Sequence, residues 1–134
     1  MTRLKRLDHV VVAVKELEEA AWAWEHNLGL KAERVVQPDG SNLKLAMLPV
    51  GNAFVELAQA VAPDHRLAAF VEERGEGMFS LSIEVDDLEA AVAELRGRSV
   101  DVSDPEPGVL EGTRVARINP QSAHGVPIQL IERP

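Results

Sequence analysis

Cysteine and tyrosine are both missing from this 134-residue chain, and aromatic side chains make up only 4% of it. Without cysteine there is no disulfide scaffold, zinc–thiolate site, iron–sulfur cluster or cysteine nucleophile to consider. So few aromatics argue against a stacking platform for single-stranded nucleic acid. Basic charge is scarce as well: 14 Lys and Arg stand against 22 Asp and Glu, for a net charge of -8. Duplex binding needs clustered cations to displace phosphate counterions, so nucleic acid is not an expected partner. No apolar run approaches about 18 residues, which leaves no membrane-spanning candidate. The basic stretch Met1-Thr2-Arg3-Leu4-Lys5-Arg6-Leu7 leads into no apolar segment of signal-peptide length. What is present is an ordinary globular composition, 46% hydrophobic and 27% charged. These features predict a cytoplasmic, single-domain protein that handles a small molecule.

The chain repeats itself. Asp8-His9-Val10-Val11-Val12-Ala13-Val14 and Phe79-Ser80-Leu81-Ser82-Ile83-Glu84-Val85 are both alternating, β-branched-rich stretches, offset by 71 residues. The match runs on into two helical patterns, with identities at Val14/Val85, Leu17/Leu88, Glu18/Glu89 and Ala20/Ala91. In the first, Leu17, Ala20, Ala21, Trp24 and Leu28 form one apolar stripe, and Gly29 provides a left-handed stop. In the second, Leu88, Ala91, Val92 and Leu95 form the stripe, Asp86 or Asp87 offers the cap, and Gly97 the stop. Short strand-like runs follow each helix. They fall at roughly 30–37, 42–49 and 52–60 in the first half, and at roughly 99–103, 112–119 and 125–132 in the second. Each half therefore reads β-α-β-β-β. Module one covers about 7–61 and module two about 78–132. A connector helix over about 64–75, capped by Asp64 and ended by Gly75, joins them. The predicted class is α+β: two βαβββ modules forming a cupped, mostly antiparallel sheet around a shared cavity.

Strand alternation assigns faces. Val10, Val12 and Val14 point toward the first helix stripe, and Leu81, Ile83 and Val85 toward the second. His9 and Ser80 then hold equivalent positions on the faces turned away from the helices. Ser80, Ser82 and Glu84 make the second of those faces too polar for a packed core, which suggests a cavity lining. His26 and His65 read as solvated, His124 as a surface loop histidine or a replacement ligand, Trp24 as core, and Trp22 as exposed or at an interface. Lys44, Arg114 and Arg117 are cations within reach of an anionic ligand, although strand cations of this kind are usually just solvated.

Paired modules of this kind resemble the vicinal oxygen chelate superfamily, which includes glyoxalase I, bleomycin-resistance proteins and extradiol dioxygenases. The likeness is greatest to its methylmalonyl-CoA epimerase branch. It is carried by Leu7-Asp8-His9-Val10, by Leu48-Pro49-Val50-Gly51-Asn52 with Val55-Glu56-Leu57, and by Phe70-Val71-Glu72-Glu73-Arg74-Gly75-Glu76-Gly77-Met78. Ile83-Glu84-Val85-Asp86-Asp87, Asn119-Pro120, Gly125-Val126 and Gln129-Leu130 complete it.

The resemblance implies a divalent metal (Co, Zn, Ni or Mn) held by one residue from the first and one from the last strand of each module. Carried over, those positions are His9, Glu56, Ser80 and Gln129. His9 and Glu56 are good ligands, and Gln129 offers a neutral amide oxygen. Ser80 is a poor ligand, so the predicted metal set is His9, Glu56 and Gln129, with binding weak or absent. The implied reaction is metal-assisted proton transfer α to a carbonyl of a small acyl-CoA or keto substrate. Gln129 cannot accept a proton where the branch has Glu, which leaves Glu56 and Glu84 as the catalytic carboxylates. A different outcome of the same fold is a metal-free small-ligand-binding protein of the bleomycin-resistance type, without turnover. Another is a lyase or isomerase with its own ligand set. The resemblance also implies a homodimer.

Overall fold

Alternation within strands and a 3.6-residue stripe on helices are expected to place one helix against one face of each four-strand set. The computed structural model, which describes residues 4–134, has that arrangement. Its elements are β1 (Arg6–Ala13), α1 (Leu17–Leu28), β2 (Arg34–Val36), β3 (Leu43–Val50), β4 (Ala53–Ala60), α2 (Arg66–Arg74) and β5 (Gly77–Glu84). They continue with α3 (Leu88–Gly97), β6 (Glu106–Pro107), β7 (Arg114–Ile118) and β8 (Ile128–Glu132). The class is mixed α+β and mostly antiparallel, as predicted. Among the described residues no helix is long and apolar enough to cross a membrane.

The chain divides into two units. One is His9–Phe79; the other is Ser80–Pro134 together with the chain up to Asp8. In the first, the strands lie in the order β2-β3-β4-β1. β3 is antiparallel to both β2 and β4, and β4 runs parallel to β1. Val14, Leu17, Ala46, Leu48 and Leu57 are its buried core, with Val12, Ala20, Ala21, Trp24 and Val55 packed around them. The second unit repeats the plan in the order β5-β8-β7-β6, with β5 parallel to β8 and the other pairs antiparallel. Val85, Leu88, Ala91, Val92, Val102, Ala116 and Leu130 form its core, and Ile83, Leu95 and Ile118 pack against it.

Both α1 and α3 donate their first N–H to a side chain on the last strand of their own unit. The Leu17 N–H donates to Gln59 Oε1 at 2.8 Å, and the Leu88 N–H donates to Glu132 Oε2 at 2.8 Å. Each satisfies one of the orphan donors that open a helix. In α3 the Asp87 carboxylate adds a local cap by accepting from the Ala90 N–H.

Several local expectations are corrected. Leu28 is the last residue of α1 and is 62% exposed, so the buried stripe ends at Trp24. Gly29 does close α1, with φ 72°. Gly97 remains inside α3; the chain leaves that helix through Arg98 and then Ser99, whose φ of 65° does what a glycine was expected to do. His65, not Asp64, caps α2: its Nδ1 accepts from the Leu67 N–H at 3.0 Å, so His65 is not merely solvated. The strand expected at 99–103 is reduced to a single bridge between Val102 and Ile118, and the edge position is taken by the two-residue β6. Two backbone hydrogen bonds flank that bridge, the Asn119 N–H donating to Asp101 and the Ser103 N–H to Arg117, while Arg96 takes the Val102 carbonyl and Asp104.

Candidate active site

In the His9–Phe79 unit, Val12 on β1 and Val55 and Leu57 on β4 are turned toward α1. His9, Val11 and Ala13 on β1 and Glu56 and Ala58 on β4 therefore share the opposite face. The parallel register sets Glu56 beside Val11, two residues along from His9. His9 Nε2 and Glu56 Oε1 are 3.7 Å apart, and both side chains are nearly buried. Met47 is the antiparallel partner of Glu56, and Leu45 of Ala58; both are fully buried. A carboxylate and an imidazole thus meet in an apolar wall, where electrostatic interactions are stronger than in water.

The other unit builds the same face from different chemistry. Ile83 on β5 and Leu130 on β8 pack against α3, which leaves Ser82 and Gln129, direct register partners, on the opposite face. Gln129 Nε2 donates to Ser82 Oγ at 3.0 Å. That orientation leaves the amide Oε1 as the ligand-type atom. Ser80 sits half-buried two residues before Ser82. Glu84 is not idle: its carboxylate accepts from Arg6 Nε at 2.7 Å, and Lys5 Nζ lies at 3.8 Å. Of the predicted residues, then, His9 and Glu56 are brought together, Gln129 pairs with Ser82, and Glu84 belongs to an ion-pair network.

The remaining polar candidates are occupied elsewhere. Lys44 reaches Glu18 at 2.5 Å, and its hydrogen bond draws the Glu18 carboxyl down to about 2. Arg114 grips Glu89 through both terminal nitrogens and lowers that carboxyl likewise. His26 stacks on the exposed Trp22 ring at 4.7 Å, and His124 closes the short 3-10 turn Pro120–Ala123 with a φ of 54°. Asp87, Glu89 and Glu132 bring carboxylate oxygens within 4.8 Å of one another. Each has a structural duty, two as caps of α3 and one as the partner of Arg114.

The surroundings of two residues escaped the sequence reading. Asp8 is completely buried and accepts from Arg133 Nε and Nη2 at 2.8 and 2.9 Å, with Arg6 Nη2 at 3.1 Å. The pattern of Asp8 next to His9 signalled only a motif, and a partner 125 residues away has no local signature. Arg117 is the second. It is the register partner of Gln129, its Nη1 is held by Glu106, and its Nε is buried without a hydrogen-bond partner among the described residues.

A divalent ion was implied for this face. Ligand atoms about 2.0–2.2 Å from one ion lie roughly 3–4 Å from each other, so His9 Nε2 and Glu56 Oε1 at 3.7 Å fit two positions of a coordination shell. An imidazole with a carboxylate is a donor set suited to first-row divalent ions.

The repeated βαβββ plan, with donors on the faces opposite its helices, has a counterpart among known proteins. The profile of the Glyoxalase/Bleomycin resistance protein/Dioxygenase superfamily matches residues 8–116, and the chain belongs to that superfamily. Within it, the chain is similar to the mitochondrial methylmalonyl-CoA epimerase of Mus musculus, at 30% identity over 130 residues, covering 96% of this chain and 73% of that protein. The Homo sapiens epimerase is 30% identical over 129 residues, with 95% and 73% covered. The crystal structure of methylmalonyl-CoA epimerase from Mycobacterium tuberculosis has a TM-score of 0.91 at 28% identity, covering 100% of this chain and 91% of that one.

Proposed function

We propose that this protein is an acyl-CoA epimerase of the superfamily, acting on a 2-substituted malonyl thioester of the methylmalonyl-CoA type. The observation that carries the reading is the buried His9–Glu56 pair, 3.7 Å apart on the face turned away from α1, in a chain whose relatives at 30% identity are methylmalonyl-CoA epimerases. Inverting such a carbon means removing an acidic C–H flanked by two carbonyl groups and returning the proton to the opposite face. When bound, a divalent ion would polarise the carbonyl oxygens and stabilise the enolate. His9 Nε2 and Glu56 Oε1 are the proposed donors to that ion, with Gln129 Oε1 a further, neutral donor. Glu56 and Glu84 are the proposed proton carriers. Glu84 already accepts from Arg6, so Glu56, when unligated, is the better placed of the two to take the substrate proton. Apolar neighbours at Met47 and Leu45 keep water from competing for it. The same reading takes the chain as one domain, working as a homodimer in the cytoplasm.

The test is exchange of the α-proton of methylmalonyl-CoA in D2O, followed by NMR with and without added Co2+. Wild type should exchange, whereas Glu56→Gln and His9→Ala should lose about 100-fold or more, the usual scale of one acid–base group. Equal background rates in all three proteins would reject the reading. A second reading, ligand binding without turnover, is favoured by the neutral Gln129–Ser82 hydrogen bond; it predicts thioester binding with no exchange.

A further inference from the structure

The face of β7 that carries Arg117 also carries, through the register, Gln129 of β8, and Gln129 in turn touches Ser82 of β5. Both of those groups are neutral. Arg117 is set firmly from behind: its backbone N–H donates to Ser103 Oγ at 2.8 Å, and its carbonyl accepts from the Ser103 N–H at 2.9 Å. A guanidinium presents five N–H donors in a rigid planar fork. Glu106 holds the Nη1 side. The Nε–H is buried and unmet among the described residues, although the side chain as a whole is 39% exposed. A buried donor with no acceptor is disfavoured, and the Nε/Nη2 edge is the one that takes a planar carboxylate in two parallel hydrogen bonds.

We infer that Arg117 is an anion-docking residue that receives the free carboxylate of the thioester ligand, an inference that takes its ligand from the epimerase reading above. Docked on Nε and Nη2, that carboxylate is held by a guanidinium whose plane Glu106 keeps from turning. Arg117 is thereby a binding and positioning residue. Lysine keeps its charge but lacks the fork.

Calorimetric titration with methylmalonyl-CoA and with propionyl-CoA separates the carboxylate from the shared CoA phosphates. Wild type should prefer the carboxylate-bearing thioester by about tenfold or more, as a charge-assisted pair implies. R117Q should abolish that preference while propionyl-CoA binding stays within about twofold, and R117K should keep part of it. If R117Q melts early, R117K decides: partial loss of preference supports the inference, and full preference overturns it. No carboxylate preference in wild type, or an R117Q that weakens both ligands equally or neither, also overturns it. An Arg117-dependent preference without α-proton exchange sinks the epimerase reading alone. Exchange together with an Arg117-independent preference sinks this inference alone.

Discussion

The two units have one plan and two chemistries. Leu17 and Leu88 open equivalent helices, Gln59 and Glu132 reach back from the last strands to their first N–H groups, and Leu57 and Leu130 fill equivalent core positions. Even the surface ion pairs recur, Glu18 with Lys44 and Glu89 with Arg114. On the faces opposite the helices the likeness stops. One presents an imidazole and a carboxylate, the other a hydroxyl–amide pair beside an arginine. The scaffold constrains the residues that pack and cap, because a lost cap or core contact acts on folding itself. It leaves free the residues that face away, and there a charged, ligand-type pair and a neutral pair coexist in one duplicated frame.

The strongest way to break the comparison is in the cores. Leu57→Ala and Leu130→Ala, both at fully buried positions, should each cost about 2–5 kcal/mol. Denaturant titration should give similar losses, and a large difference would mean that the two cores are not equivalent. The faces offer a sharper contrast. Gln129→Glu adds a charge and an anionic donor to the neutral face, so Co2+ should bind about tenfold or more tightly by calorimetry. Unchanged affinity would remove Gln129 from the proposed ligand set. The caps should differ modestly. Glu132→Ala and Gln59→Ala should each lower stability by about 1 kcal/mol, with Glu132 the larger because a carboxylate also favours the positive end of α3.

The smallest effect is electrostatic. Lys44 and Arg114 hold Glu18 and Glu89 below the ordinary carboxylate range, so the unfolded chain binds more protons than the native one in acid. Stability from both pairs is complete above about pH 4.3, the unfolded value. For Glu18 it is lost as the pH falls toward about 2. Lys44→Ala should flatten this acid limb of a thermal-melt series slightly, and added salt should mask the change because the pair is exposed.

Much of the fold is legible locally. Strand alternation and the helix stripes identify two repeated modules, because the side chain's direction follows directly from backbone geometry. Those same rules turn His9 and Ser80 away from the helices, whereas Glu56 joins His9 only through the superfamily resemblance. The failures share a cause. Leu28 fits the helix stripe by period, yet no part of the core reaches the last turn of α1. Residues 99–103 have strand propensity, but the run opens on the left-handed turn at Ser99 and only the Val102–Ile118 bridge forms. Gly97 looks like a stop, and the backbone turns two residues later at Ser99.

By itself, then, the sequence determined the duplicated α+β plan, the faces of the first strands and the donor types set on them, since each depends only on neighbours within a few residues. The tertiary structure alone decided that His9 and Glu56 stand 3.7 Å apart, that Asp8 is buried against Arg133, and that Arg117 keeps a buried Nε–H without a partner. Those relations join residues dozens of positions apart, and only the pairing register and the exclusion of water bring such groups into one place.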